Sequence, residues 1–295
     1  MSTLVTNCPT CGRALEPEFG GHCPACAAAA PPVAVQAPLW GPGVAFLTWG
    51  ASLALVLLLP LIPLVLYWLY NLLARGERPS GEITAPVALI TLASTGVAHV
   101  LTLLVCWWVV TGRGRWPFLA SLGWRWHPQF KLVHAVALAL LMYATALLFE
   151  RFLPHGVTSF EQLLKLGTAV RVAIALLAVL TAPLVEEVVY RGVLYSALER
   201  RRGWVTGVVV VTLLFALVHV PQYRESPAAL AAILSLSLVL TLLRSATGLL
   251  LPCVATHMIF NGVQAVLLLA TRGEMPEATA PRAALALLGR WLGLS

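Results

Sequence analysis

The 295-residue sequence contains no aspartate, only two lysines against 17 arginines, and only 11% charged residues. Soluble domains carry about a quarter charged residues, so this scarcity excludes an ordinary soluble domain. The lack of aspartate rules out a paired-aspartyl peptidase. No histidine is followed by glutamate, so the H-E-x-x-H zinc helix is missing. No G-x-S-x-G turn occurs, so the serine elbow of the α/β-hydrolases is missing too. Aromatic and basic residues are not interleaved in the manner of a nucleic-acid surface, and no internal repeat is found.

What is present is apolar. Hydrophobic residues make up 59% of the chain, and the mean hydropathy is +0.87. About 20 apolar residues cross a bilayer as a helix. Runs of that length are expected near 44–72, 86–111, 131–152, 170–199, 204–220, 227–244 and 249–271. Pro60 and Pro63 are expected to kink the first, which membrane helices tolerate. A shorter piece, Ala283–Leu294, reads as interfacial or as an eighth span. The expected fold is an all-α polytopic membrane bundle of seven or eight helices, occupying residues 44–295. Residues 158–167 have Phe160, Leu163, Leu164 and Leu166 at helical spacing, which predicts a short amphipathic surface helix.

Residues 1–26 are polar and carry Cys8, Cys11, Cys23 and Cys26, which is not the pattern of a signal peptide. Two Cys-x-x-Cys knuckles separated by eleven residues suit tetrahedral Zn2+ in a zinc ribbon. A module this small needs metal for its folding energy. It would also serve as a site for a protein partner. Disulfides or a redox dithiol are the competing reading. Cys106 and Cys253, inside apolar runs, read as buried free thiols. Residues 27–43 are rich in alanine and proline and read as a linker.

The net charge of +7 comes from arginines at the ends of apolar runs. On one side lie Arg113, Arg115, Arg125, Lys131, Arg200, Arg201, Arg202 and Arg244; on the other, Arg75, Arg78, Arg151, Lys165, Arg171 and Arg224. The excess, with its R-R-R triplet, puts the first group and the N-terminus in the cytoplasm. That agrees with a ribbon kept reduced there.

Three ionisable groups interrupt the fourth run, A-P-L-V-E-E-V-V-Y-R-G. A charge at a helix centre costs about 2.5–3.5 kcal/mol on insertion scales, so such residues have reasons to be there. On a helical wheel Glu187 and Arg191 fall about 40° apart, an i,i+4 pair in the favourable order. Glu186 points about 140° from Arg191, which leaves it as the general-base candidate. His219 ends the fifth run, and the seventh carries His257 and Asn261 at i,i+4. These groups belong in a bundle interior rather than against lipid. His99, His134, Thr256 and Gln264 read as helix–helix hydrogen-bonding groups. Intramembrane carboxylates and histidines also suit a proton or ion pathway.

E-E-V-V-Y-R at 186–191, F-A-L-V-H at 215–219 and H-M-I-F-N at 257–261 resemble, in order, the three motifs of the CAAX protease and bacteriocin-processing family. That family includes the type II CAAX prenyl endopeptidases. The resemblance extends over about residues 85–271 and implies an intramembrane endopeptidase acting on a membrane-associated polypeptide. It implies that Glu186 activates water and that His219 holds that water or a metal. His257 and Asn261 would stabilise the oxyanion, with Glu187 and Arg191 completing the first motif. It leaves open a catalytic zinc on Glu186, His219 and His257 as against metal-free glutamate chemistry. The other reading is a non-catalytic immunity or scaffold protein, with the ribbon as its partner-binding module. The site would open to the cytoplasm or inner leaflet. The alanine-rich, arginine-over-lysine usage points to a GC-rich bacterial genome and hence a bacterial plasma membrane.

Overall fold

The computed structural model of the chain describes residues 40–78, 81–154 and 156–270. Cys8, Cys11, Cys23 and Cys26, most of the linker and the piece at 283–294 lie outside the described residues. Among the described residues every regular element is helical, and seven spans are long and apolar enough to cross a membrane.

The first span is α1 (Pro42–Leu58) followed by α2 (Leu61–Arg75), broken at Leu59–Pro60 as the prolines predict. The second is α3 (Ala85–Val110). Short α4 (Phe118–Ser121) precedes the third span, α5 (Leu132–Phe152). Short α6 (Ser159–Leu164) leads to the fourth, α7 (Thr168–Arg202). The last three spans are α8 (Trp204–Tyr223), α9 (Pro227–Thr247) and α10 (Leu251–Ala270). All seven expected spans are found, and the chain is an integral membrane protein.

Most span boundaries lie within about three residues of expectation, and two of the differences bear on packing. Helix α1 starts at Pro42, inside the stretch read as linker. Just before it, Trp40 is buried and donates its indole N–H to the Val193 carbonyl at 2.9 Å. Helix α8 runs through Pro221 to Tyr223 instead of stopping before it.

Helix α6 is the expected amphipathic helix. A capping box between Thr158 and Glu161 starts it. Its Leu164 is buried against Ala88, Val170, Ile174 and Leu268, and the Phe160 ring packs on Tyr223 at 5.8 Å.

Helix α7 is the central element. Every residue from Glu187 to Tyr195 is buried, whereas α1, α2 and α5 expose leucine, valine and phenylalanine such as Leu47, Leu73 and Phe152. A sequence apolar on all faces is suited to that central position. Gly192 permits close packing here. A Cβ on it would come 2.9 Å from Leu122 Cδ2 and 3.5 Å from Leu250 Cδ2. Helix α7 is not uniformly α-helical. It widens to π-helical turns at Leu177–Thr181 and Val188–Tyr195, on either side of the α-helical Ala182–Glu187. Pro183 lacks an N–H for the carbonyl one turn back, and a widened turn before it accommodates that loss. A neighbouring span satisfies one freed group, since Asn261 donates to the Ala178 carbonyl, as a bilayer interior requires.

Candidate functional site

The three motifs converge from α7, α8 and α10. Arg191 donates from Nη1 to Glu187 Oε1 at 2.9 Å, and both side chains are 0% exposed. This is the i,i+4 pair expected from the wheel. The second widened turn begins at Val188 and carries Arg191 nearer to directly above Glu187 than α-helical geometry would.

The pair is not closed on itself. His257 of α10 places Nδ1 2.8 Å from the same Glu187 oxygen, and its Nε2 stands 3.8 Å from Glu186 Oε2. Glu187 Oε2 is buried and has no hydrogen-bond partner among the described residues. The His257 ring is thus hydrogen-bonded to Glu187 through Nδ1 and has Glu186 within ion-pair distance of Nε2. Glu186 is 27% exposed, whereas Glu187 is sealed. The two glutamates therefore have different environments, as the wheel predicts.

His219 of α8 places Nδ1 2.7 Å from the Phe215 carbonyl. A carbonyl only accepts, so Nδ1 carries a proton, and in the neutral ring Nε2 then presents a lone pair. Phe215 acts as a plate at the centre of the cluster. Its ring lies 4.8 Å from His219, 5.1 Å from Tyr190 and 6.1 Å from His257. The Arg191 guanidinium lies 4.8 Å over its face, a desolvated cation–π contact. That contact gives a reason for an aromatic residue one turn before the histidine.

Asn261 donates one amide hydrogen to the Ala178 carbonyl at 2.8 Å, inside the first widened stretch of α7. One amide hydrogen remains for other work. Among the described residues no three His, Cys, Asp or Glu side chains stand close enough to hold a metal ion. The trio Glu186, His219 and His257 therefore does not, as placed, form a ligand set.

Sequence reasoning missed the residues that seat Arg191. From α9, Ser237 accepts from Nη2 through both its carbonyl and its hydroxyl at 2.9 Å, and Thr241 accepts from Nε at 3.2 Å. Hydroxyls at i,i+4 inside an apolar run were the available signal. Trp49 of α1, whose indole donates to the Tyr190 hydroxyl at 3.0 Å, left no such signal.

Arg244, counted with the loops for topology, is buried. Its guanidinium donates to the carbonyls of Leu122 and Gly248 and to the Ser196 hydroxyl, tying α9 to the end of α7. His99 makes the expected interhelical bond, 2.8 Å to Thr181. His134 and Thr256 do not. His134 Nδ1 accepts from the Lys131 amide at the start of its own helix, and the Thr256 hydroxyl donates back to Pro252. Cys106 and Cys253 are free and buried, as expected.

No curated protein matches the chain, and no solved structure does. A family model does match, over a shorter stretch than the motifs alone suggested. It begins at the first residue of α7 and ends two residues past Asn261, leaving out α1 to α6, whose residues carry none of the three motifs. Over residues 168–263, which hold Glu186, Glu187, Arg191, His219, His257 and Asn261, the chain is similar to the type II CAAX prenyl endopeptidase Rce1-like family.

Proposed function

We propose that the chain is an intramembrane endopeptidase that hydrolyses peptide bonds of a membrane-associated polypeptide with water activated by Glu186. The observation that carries this reading is the Glu186–His257–Glu187 arrangement: a half-exposed carboxylate beside a histidine whose far nitrogen is fixed by a second, buried carboxylate. A nucleophile-activating group beside a ring that a third group orients is a recurring catalytic arrangement. The family similarity over 168–263 points to the same chemistry.

In this mechanism the Glu186 carboxylate takes a proton from water as the oxygen adds to the scissile carbonyl carbon. The carbonyl π electrons move to oxygen and make the oxyanion. His219 Nε2, a lone pair because Nδ1 is committed to Phe215, accepts the second hydrogen of the attacking water and so aims it. His257 donates to the oxyanion from Nε2 while Glu187 and Arg191 balance its charge, and the remaining amide hydrogen of Asn261 is the second donor. As the C–N bond breaks, Glu186 returns its proton to the leaving amine.

The four N-terminal cysteines hold a structural Zn2+ in this proposal, with the N-terminus in the cytoplasm of a bacterial cell. Glu186→Ala and His219→Ala test the enzyme reading with the purified full chain in nanodiscs and a quenched membrane-anchored peptide library. Both are expected to lose cleavage. Unchanged processing in both variants would leave a non-catalytic membrane protein.

A further inference from the structure

Arg191 and Glu187 pair in an uneconomical way. An arginine and a carboxylate in contact favour two parallel hydrogen bonds, yet this pair makes one. Nη1 reaches Oε1, while Oε2 stays buried without a partner. The missing bond has a cause on α9. Nη2 is taken by the Ser237 carbonyl and hydroxyl, and Nε by the Thr241 hydroxyl. Thr241 is fixed in turn, because its hydroxyl donates to the Ser237 carbonyl at 2.7 Å. Ser237 and Thr241 are both fully buried. The guanidinium is turned away from Oε2 by a neighbouring helix.

We propose that Ser237 and Thr241 are positioning residues for hydrolysis: they hold Arg191 in single contact with Glu187, so that Glu187 Oε1 remains a strong acceptor for His257 Nδ1. The inference rests on the endopeptidase reading for its kinetic consequence and on geometry alone for its structural one. Without the α9 hydroxyls, Nη2 and Nε lose acceptors around a guanidinium that is 0% exposed. The nearest unused acceptor is Oε2. The guanidinium then swings to two-point pairing, the carboxylate is drawn to Arg191, and the 2.8 Å contact to His257 weakens. The His257 ring loses the partner that fixes its orientation and tautomer.

Thr241→Val keeps side-chain shape and removes the hydroxyl; Ser237→Ala removes the second one; Thr241→Ser restores the acceptor with less bulk. Full-length protein in nanodiscs is assayed for kcat and KM. The 15N shifts of the His257 ring are read without substrate and assigned by difference against His257→Gln. The double variant Ser237→Ala/Thr241→Val is expected to lose about 10-fold in kcat, the lower end for partners that orient a functional histidine, with KM within about 2-fold. Its His257 Nδ1 signal should move from that of a hydrogen-bonded Nδ1–H toward an average over ring states in which Nδ1 is no longer held. Thr241→Ser should recover both. Should the double variant not fold, Thr241→Val alone, which leaves both Ser237 acceptors, is expected to show the same changes at smaller amplitude. An unaltered His257 spectrum in folded variants overturns the proposal, as does a failure of Thr241→Ser to recover it. If the wild-type chain cleaves nothing while the spectra change as described, the positioning stands and the endopeptidase reading falls.

Discussion

His257 on α10 and Glu187 on α7, 70 residues apart in sequence, share a 2.8 Å hydrogen bond between Nδ1 and Oε1. The same oxygen accepts from Arg191 at 2.9 Å. One buried carboxylate thus joins the pair within α7 to the only contacts His257 makes with acidic groups among the described residues, Glu187 and Glu186. The two residues of the E-E dipeptide are therefore set apart: Glu187 holds the histidine and the arginine, and Glu186, the more exposed of the two, is the base in the proposed mechanism.

The two glutamates should then fail differently when neutralised. Glu187→Gln leaves the fully buried Arg191 without its counter-charge, and breaking a buried ion pair costs about 3–5 kcal/mol. Thermal unfolding in nanodiscs should show a clear drop in Tm and a lower folded yield. Glu186→Gln, at a half-exposed position, should keep the wild-type Tm and lose cleavage by about 10²–10⁴-fold. A Glu186→Gln protein that cleaves at the wild-type rate would remove Glu186 as the base.

The sequence was informative wherever a signal stays within one helix. Seven spans were readable because each is an apolar run of membrane-crossing length. The Glu187–Arg191 pair was readable because i,i+4 neighbours meet whatever surrounds the helix. Cross-helix choices carried no such mark. Spacing along α7 made Glu187 a partner of Arg191 and said nothing of His257, since that contact depends on how α10 is rotated. The wheel also assumed one pitch throughout, whereas α7 widens twice. Pro183 signalled the first widening; nothing in V-V-Y-R-G-V-L-Y signals the second. Arg244 misled the topology count for a related reason: a helix-terminal arginine and a buried one look alike until the 118–125 segment is folded against it.

Gly192 offers a packing test away from the chemistry. Gly192→Ala would bring a methyl group to 2.9 Å from Leu122 Cδ2. Overpacking of this kind costs about 1–3 kcal/mol. Leu122 is fully buried, and its carbonyl receives Arg244, so it has little freedom to withdraw. Gly192→Ala should lower Tm, and adding Leu122→Ala should recover part of the loss by making room. If the two substitutions simply add, the contact is not what makes glycine necessary at 192.

Metal content separates the two sets of candidate ligands. With Zn2+ on Cys8, Cys11, Cys23 and Cys26 alone, the purified chain should carry one zinc, and Cys8→Ser/Cys11→Ser should carry none. His219→Ala should leave the count unchanged, in keeping with the absence of a three-ligand cluster among the described residues. Elemental analysis per folded chain checks this. A second equivalent that disappears with His219→Ala would place a metal in the membrane site.

Two expectations about orientation exclude one another. Arg200, Arg201 and Arg202 end α7 just before α8 begins at Trp204, whereas His219 lies four residues before α8 ends at Tyr223. A cytoplasmic R-R-R and a site opening to the cytoplasm beside His219 would put both ends of one membrane span on the same side. Helix α6 belongs to the His219 end, since Phe160 packs on Tyr223. Removing the buried Arg244 also leaves the charge comparison at seven against six. The R-R-R triplet, close to a span end, remains the strongest topological signal, and it places the His219 end of α8 at the opposite face. Arg201 and Glu225 are both exposed and flank α8. With a membrane-impermeant maleimide, Arg201→Cys should label in inverted vesicles and Glu225→Cys in intact cells, each above the wild-type background. The reverse pattern would move the R-R-R end outside and open the His219 end to the cytoplasm, and labelling of both from one side would contradict α8 as a span.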